Sequence, residues 1–245
     1  MNLLEHCIIP DWPAPANVKA LQTTRHGGVS AAPYDTLNLG DHVGDAPLAV
    51  ARNRMLLGPL LPSEPVWLKQ VHGTEVIDAA EAGCGAVEAD ACISREKGAV
   101  CVVMTADCLP VLLCDKQGSV VGAAHAGWKG LAAGVIEATV QAMDVAPQSL
   151  MAWLGPAIGR EAFEVGGEVR ATFVAAHPQA ASAFTAGQPG KWIADIYALA
   201  RIRLDALGIT QIYGGDFCTY RERDRFFSYR RDGVTGRMGT FIWLD

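Results

Sequence analysis

Cys108 and His125 sit in the stretch "MTADCLPVLLCDKQGSVVGAAHAGWKG", Met104 to Gly130, the cysteine in a tight polar loop and the histidine in a run of small apolar residues. A third residue of the same chemical kind, His72, closes the apolar run of "WLKQVHG" just before a glycine. A thiolate and two imidazoles form a donor set suited to a borderline-soft ion such as Zn2+, and three protein ligands with one open position are the pattern of a catalytic zinc rather than a structural one. The separations, 36 residues (108 minus 72) and 17 residues (125 minus 108), match no short ligand motif, so spacing leaves two other readings open. In one, Cys108 is a thiolate nucleophile with His125 or His72 as its base. In the other, each residue simply packs in a core or cleft.

Further polar residues gather in the glycine-rich segments. Arg25, followed by Gly27 and Gly28 in "TTRHGGVS", is a candidate phosphate clamp, with glycine N–H groups free to face an anion; the alternative is a hairpin turn with a solvated arginine. Asp107, next to a candidate ligand, is either a proton carrier or a loop cap. Gln70 precedes His72 by two, so strand alternation places both on one sheet face, where Gln70 reads a substrate or orients a ligand. Asn38 in "TLNLG" hydrogen-bonds either a ribose or its own turn, and Arg230 is the second candidate for an anion. His26 and His42 lie in loops near Arg25 and are within reach of the same substrate.

The elements that must position these residues alternate between strand and helix. Ala99 to Met104, Val111 to Cys114 and Val120 to Ala124 are short apolar runs bounded by turn signals, and "VKALQTTR" and "EPVWLKQVHG" also read as strands. "APLAVARNRMLLGPLL" reads as a helix capped by Asp45 with Pro47 in its first turn. "GWKGLAAGVIEATVQAM" reads as one buried helix, and "KWIADIYALARIRLDALG" as a helix lying on a sheet and ending at Gly208. The last stretch, "RFFSYRRDGVTGRMGTFIWLD", reads as a hairpin turning at Asp232 and Gly233. The class is α/β or α+β with a mixed sheet, and residues 1–245 are expected to form one domain. No GxGxxG follows a strand, which disfavours a dinucleotide-binding fold.

Composition excludes several classes. With 50% hydrophobic and 19% charged residues the chain is not disordered. A formal net charge of -6 disfavours nucleic acid as a partner. No apolar run approaches the ~18 residues of a membrane span, and the N-terminus lacks a signal-like pattern, so a cytoplasmic protein is expected. Seven cysteines, an odd number with no CxxC, suggest reduced thiols rather than a disulfide framework, with Cys101 and Cys114 as small buried hydrophobes. Two histidines and a cysteine are also the trigonal ligands of blue copper. Six histidines with no HxH cannot furnish the additional copper ligands that oxygen reduction demands, so a genuine laccase is disfavoured.

The segments "TTRHGGVS", "YDTLNLGDHVGD", "WLKQVHG", "VMTADCLPVLL", "AAHAGWKG", "WLGPAIG", "FEVGGEV" and "FFSYRRD" with the later "TGR" closely resemble the YfiH-like family, also labelled laccase-domain or polyphenol oxidase proteins and peptidoglycan editing factors. The resemblance runs from about Val18 to the C-terminus. It implies a single-domain layered sandwich with outer helices and a metal, Zn2+ or alternatively Cu2+, held by His72, Cys108 and His125. It also implies purine nucleoside phosphorylase activity on adenosine, inosine and methylthioadenosine, with adenosine deaminase activity. The partners implied are purine nucleosides and phosphate. Copper-dependent polyphenol oxidation and a Cys-His hydrolase that edits peptidoglycan precursors are the competing functions.

Overall fold

The computed structural model describes residues 3–82 and 87–245. Cys84 lies outside them. The architecture follows from strands buried on both faces. Along Leu109–Asp115 every residue is buried, and alternate side chains enter different cores: Val111 and Leu113 one, Leu112 and Cys114 the other. Period-two alternation turns such a continuous apolar run into the middle of a sandwich. This strand is central to a six-stranded mixed sheet, ordered Gln211–Gly214, Leu150–Leu154, Leu109–Asp115, Val121–Ala126, Ala91–Ser94 and Val76–Asp78. Its two edge pairs are parallel and its centre antiparallel. Helices Val135–Ala142 and Ile196–Ala206 cover one face with Ile136, Val140, Leu199 and Leu204.

The other face meets an antiparallel sheet ordered Cys7–Ile8, Val18–Thr23, Met238–Leu244 and Cys101–Thr105. Cys101, Val103 and Ile242 from this sheet pack on Leu112, Val121 and Ala123 of the first. Its far side, with Leu21, Val102, Met104 and Phe241, is sealed by Leu37, Leu39 and Leu57. The expected layered α/β sandwich with mixed sheets is therefore present. Among the described residues no helix is long and apolar enough to cross a membrane.

Several local expectations give way to tertiary demands. Pro47 does open the helix Pro47–Leu56, but Ala46 occupies the N-cap without a side-chain bond. The Asp45 carboxylate instead accepts from the Ser30 hydroxyl at 2.6 Å and the Asn38 amide at 2.9 Å. "GWKGLAAGVIEATVQAM" is two helices, Trp128–Ala133 and Val135–Ala142, broken where Gly134 takes a φ of 104°. In "KWIADIYALARIRLDALG" the first four residues, Lys191–Ala194, form a strand, and the helix starts only after Asp195, whose carboxylate accepts from the Ala198 N–H at 2.9 Å. "EPVWLKQVHG" contributes only the short strand Leu68–Lys69.

The C-terminal hairpin is absent. Tyr229–Asp232 form a helical turn capped by Ser228, and the return strand Met238–Leu244 lies between Val18–Thr23 and Cys101–Thr105. A strand with both faces buried gains more from two distant apolar neighbours than from one polar neighbour across a tight turn. The six described cysteines are all free, and Cys101 and Cys114 are buried as small apolar groups.

Candidate metal centre

Cys108 immediately precedes the strand Leu109–Asp115, and His125 lies near the end of its antiparallel neighbour Val121–Ala126, directly opposite Pro110. Register alone therefore brings two residues 17 positions apart (125 minus 108) to the same sheet end. His72 arrives on a loop from the side. One donor atom from each of the three lies within 4.8 Å of the others, with Cys108 Sγ 3.8 Å from His72 Nε2 and the two imidazole centroids 4.8 Å apart. Bond lengths of about 2.3 Å to sulfur and 2.0–2.1 Å to nitrogen place tetrahedral neighbours roughly 3.5 Å apart, so the set fits a zinc-sized ion after a small closure. His125 is buried, Cys108 half-buried and His72 exposed, which leaves the solvent side of the cluster open.

Asp90 builds this cluster, although the sequence reading did not single it out. It is fully buried. Its Oδ1 accepts from His125 Nδ1 at 2.7 Å and from the His72 backbone N–H at 2.9 Å. Its Oδ2 accepts from the N–H groups of Val71 at 3.0 Å and Gly73 at 2.7 Å. One carboxylate thus turns His125 Nε2 toward the ligand position and holds the loop that carries His72. His72 has a φ of 62°, a left-handed conformation that costs a non-glycine residue free energy and that the Asp90 bonds hold in place. The only sequence signal was a lone aspartate in the apolar run "VEADACIS".

Burial by itself would lift the Asp90 carboxyl, but the bonds from His125, Gly73 and Val71 hold it below the usual carboxylate range. Burial would likewise raise the Cys108 thiol, yet His125 and His72 pull it down to about 6. Burial opposes charge on His125, and the Cys108 thiolate and Asp90 outweigh it, lifting the imidazole to about 9. Without metal the pair is thiolate and imidazolium.

Glycines let the backbone close around the cluster. A Cβ on Gly127 would lie 2.8 Å from His72 Cδ2 and 2.9 Å from Cys108 Sγ, closer than real side chains approach. Beside Cys108 is a cavity of about 170 Å3 walled by Trp128, Phe163, Tyr229, Ile158 and Ile196, with Asp107 and Arg230 at its polar edge.

The other candidates divide between this cavity and distant structural work. Arg230 lines the cavity, its Nη1 donating to the carbonyls of Ala162 and Glu164. Asp107 is there too, but as a brace: Oδ1 accepts from the Thr219 hydroxyl and Oδ2 from the Arg230 N–H, both at 2.6 Å, and its φ is 96°. The loop-cap alternative accounts for its bonds. Arg25 is elsewhere, paired with Asp35 at 3.1 Å, donating to the carbonyls of Asp35 and Arg223 and lying over the Phe227 ring. The Gly28 and Val29 N–H groups are taken by Thr36 and Asn53, and the His26 ring bonds the Asp224 carbonyl.

Asn38 is fully buried and bonds Gly40, Asp45 and the Arg237 N–H, its own turn rather than the cavity. The Gln70 amide clips both backbone groups of Met104, at 2.8 and 2.7 Å. The alternation argument fails there because the strand ends at Lys69, before Gln70, and the chain then turns into a left-handed conformation at His72. His42 sits beside Asp41.

Residues 19–245 match the family described as "Multi-copper polyphenol oxidoreductase laccase". The chain belongs to the YfiH-like family of laccase-domain proteins. Two relatives from this family are each 56% identical to it over 97% of this chain and 98% of their own: purine nucleoside phosphorylase PA4543 of Pseudomonas aeruginosa and purine nucleoside phosphorylase YfiH of Escherichia coli K12. The crystal structure of Neisseria meningitidis protein NMB0706 superposes with a TM-score of 0.95 at 55% identity, covering 98% of this chain and 99% of that one. YlmD from Geobacillus stearothermophilus superposes at 0.88 with 32% identity, covering 95% and 93%. The YfiH-like fold is thus shared from end to end of the described chain, with the His-Cys-His cluster on its two central strands and the adjoining loop.

Proposed function

We propose that this protein is a zinc-dependent purine nucleoside phosphorylase that acts on adenosine, inosine and S-methyl-5'-thioadenosine and also deaminates adenosine. The observation that carries the reading is the three-ligand cluster beside an aromatic cavity, in a chain whose relatives at 56% identity bear the phosphorylase name. His72, Cys108 and His125 would hold the zinc ion, which when bound would supply Lewis acidity toward a phosphate oxygen or a water. Trp128, Phe163 and Tyr229 offer flat surfaces for a purine and exclude water from the bond to be broken. Arg230, fixed through its Nη1, lends positive charge at the cavity edge. In phosphorolysis a phosphate oxygen bonds to C1' of the ribose as the C1'–N9 bond breaks, and the purine leaves with the electron pair and takes up a proton. In deamination water adds at C6 and ammonia leaves.

The ligand count argues against a multi-copper oxidase. Among the described residues the His72, Cys108 and His125 group is the one cluster of metal-binding side chains, and His26 and His42 are engaged elsewhere. A Cys-His hydrolase is favoured by one observation, the thiol held at about 6. Metal analysis after purification without added metal separates the two. About one zinc per chain, together with phosphate-dependent release of hypoxanthine from inosine and a thiol shielded from alkylation, is expected. Metal-free protein with a reactive Cys108 and no phosphorolysis would overturn the proposal in favour of the hydrolase, and copper with phenol oxidation in favour of the oxidase.

A further inference from the structure

Phosphorolysis brings a phosphate dianion to the metal cavity, and Arg25 is committed to Asp35, away from it. The cation that receives the dianion should lie near Cys108, be held in a fixed orientation and lack a carboxylate partner. Two arginines answer to this description without a carboxylate partner: Arg230, which is exposed at the cavity edge, and Arg237, which is half-buried and anchored through both its backbone and its stem.

Its backbone is anchored on both sides. The Arg237 N–H donates to Asn38 Oδ1 at 2.9 Å, and the next residue, Met238, pairs with Thr105 at the start of the turn that leads through Asp107 to Cys108. Its stem packs under Gly40, where an added Cβ would lie 2.8 Å from Arg237 Cγ. Nη1 donates to the carbonyls of Thr235 and Gly236, each at 3.1 Å, which orients the planar fork. Nε and Nη2 make no hydrogen bond among the described residues.

Six other arginines, Arg25, Arg54, Arg203, Arg221, Arg225 and Arg231, pair with a carboxylate, whereas Arg237, like Arg230, has none within salt-bridge distance among the described residues. Burial lowers its pKa, and the groups that oppose this are led by Cys108 and Asp107, followed by Tyr229 and Tyr34. The guanidinium therefore feels the ligand thiolate and its neighbour most strongly. Two hydroxyls adjoining this position, Thr105 Oγ1 and Thr235 Oγ1, are buried without a hydrogen-bond partner. A half-buried cation with a free edge, bonded to the Thr235 carbonyl and next in sequence to the partner of Thr105, two residues whose hydroxyls are unsatisfied, is an incomplete anion site.

We infer that Arg237 is the anion-binding residue of the metal site, presenting its free guanidinium edge to two oxygens of the phosphate cosubstrate. The inference rests on the phosphorylase reading for the identity of the anion. Its test compares wild type, Arg237→Met and Arg237→Lys in initial rates of inosine phosphorolysis against phosphate concentration. Adenosine deamination without phosphate, zinc content and calorimetric titration with inorganic phosphate accompany it.

Losing a charge-assisted pair should raise the phosphate KM of Arg237→Met roughly tenfold to a hundredfold, with zinc content unchanged and deamination much less affected. Arg237→Lys keeps the charge without the fork and should fall between; it carries the test alone if the methionine variant does not fold. An unchanged phosphate KM, or phosphorolysis and deamination falling in parallel, would overturn the inference. If wild type performs no phosphorolysis, the functional reading fails separately, and calorimetry still decides: wild type that binds phosphate more tightly than Arg237→Met supports the anion site, and equal binding refutes it.

Discussion

The residue on which the site depends most is Asp90, which binds no metal. Its carboxylate closes four hydrogen bonds, three of them to backbone N–H groups of the His72 loop. Asp90→Ala should lower zinc affinity by about 10- to 100-fold and destabilise the fold by about 3 kcal/mol or more by leaving buried donors unpaired. Competition with a zinc chelator and thermal melting measure the two effects; wild-type affinity in a folded variant would contradict the positioning role. Cys108 yields a pH prediction. Its pKa is depressed, so the thiolate is present above about 6 and is lost as pH falls through that value, while the raised His125 keeps its proton until about 9. Alkylation of metal-free protein by iodoacetamide should therefore hold its rate down to about pH 6. His125→Ala should move the midpoint upward, because the imidazolium is the foremost group lowering it, and bound zinc should suppress the reaction. A midpoint that stays in the ordinary thiol range in the metal-free wild type would contradict the pairing.

At the scale of elements, two antiparallel strands, a left-handed turn and a helix start converge on the cluster. Gly127 is where they touch, since it ends the His125 segment and caps the helix Trp128–Ala133. Gly127→Ala would place a methyl group against the His72 ring and the Cys108 sulfur. It should cost most of the bound zinc while leaving the helix content of the circular dichroism spectrum intact; full zinc occupancy would show that the loop yields. Helix and strand identity was readable wherever one periodicity ran unbroken, as in Leu109–Asp115 and Ile196–Ala206. It was misread where a local signal competed with packing. Asp45 resembles a helix cap but serves Ser30 and Asn38, and the Asp-Gly pair at 232–233 resembles a hairpin turn but ends a capped helical turn.

For the whole molecule, a metal held by His72, Cys108 and His125 would tie the centre of the larger sheet to the His72 loop, so loading should stabilise the native state by mass action. At free zinc one hundred times the dissociation constant the gain is about 2.7 kcal/mol, or roughly 5–10 °C in Tm for a chain of this size. Chelation should reverse it, and a Tm indifferent to zinc would argue against a native three-ligand site. The resemblance to the YfiH-like family singled out the layered sandwich and the set of His72, Cys108 and His125; the residues alone gave an α/β or α+β class with a mixed sheet and these three as one donor set among open alternatives. Those latter conclusions depend on side-chain chemistry and short-range periodicity, which are local properties. Which polar residues serve the cavity was decided only by tertiary structure. Arg25, Asn38 and Gln70 carry suitable groups, yet Arg25 and Asn38 bond the nearby loop carboxylates of Asp35 and Asp45, and Gln70 bonds the distant backbone of Met104. Asp90 carried no motif of its own, and Arg237 was legible only as the last residue of the TGR segment; both gained their positions from strand pairing and buried loops. A hydrogen-bonding group is defined by its partner, and the partners that build the site, Asp90 for His125 and Met104 for Gln70, come from distant parts of the chain.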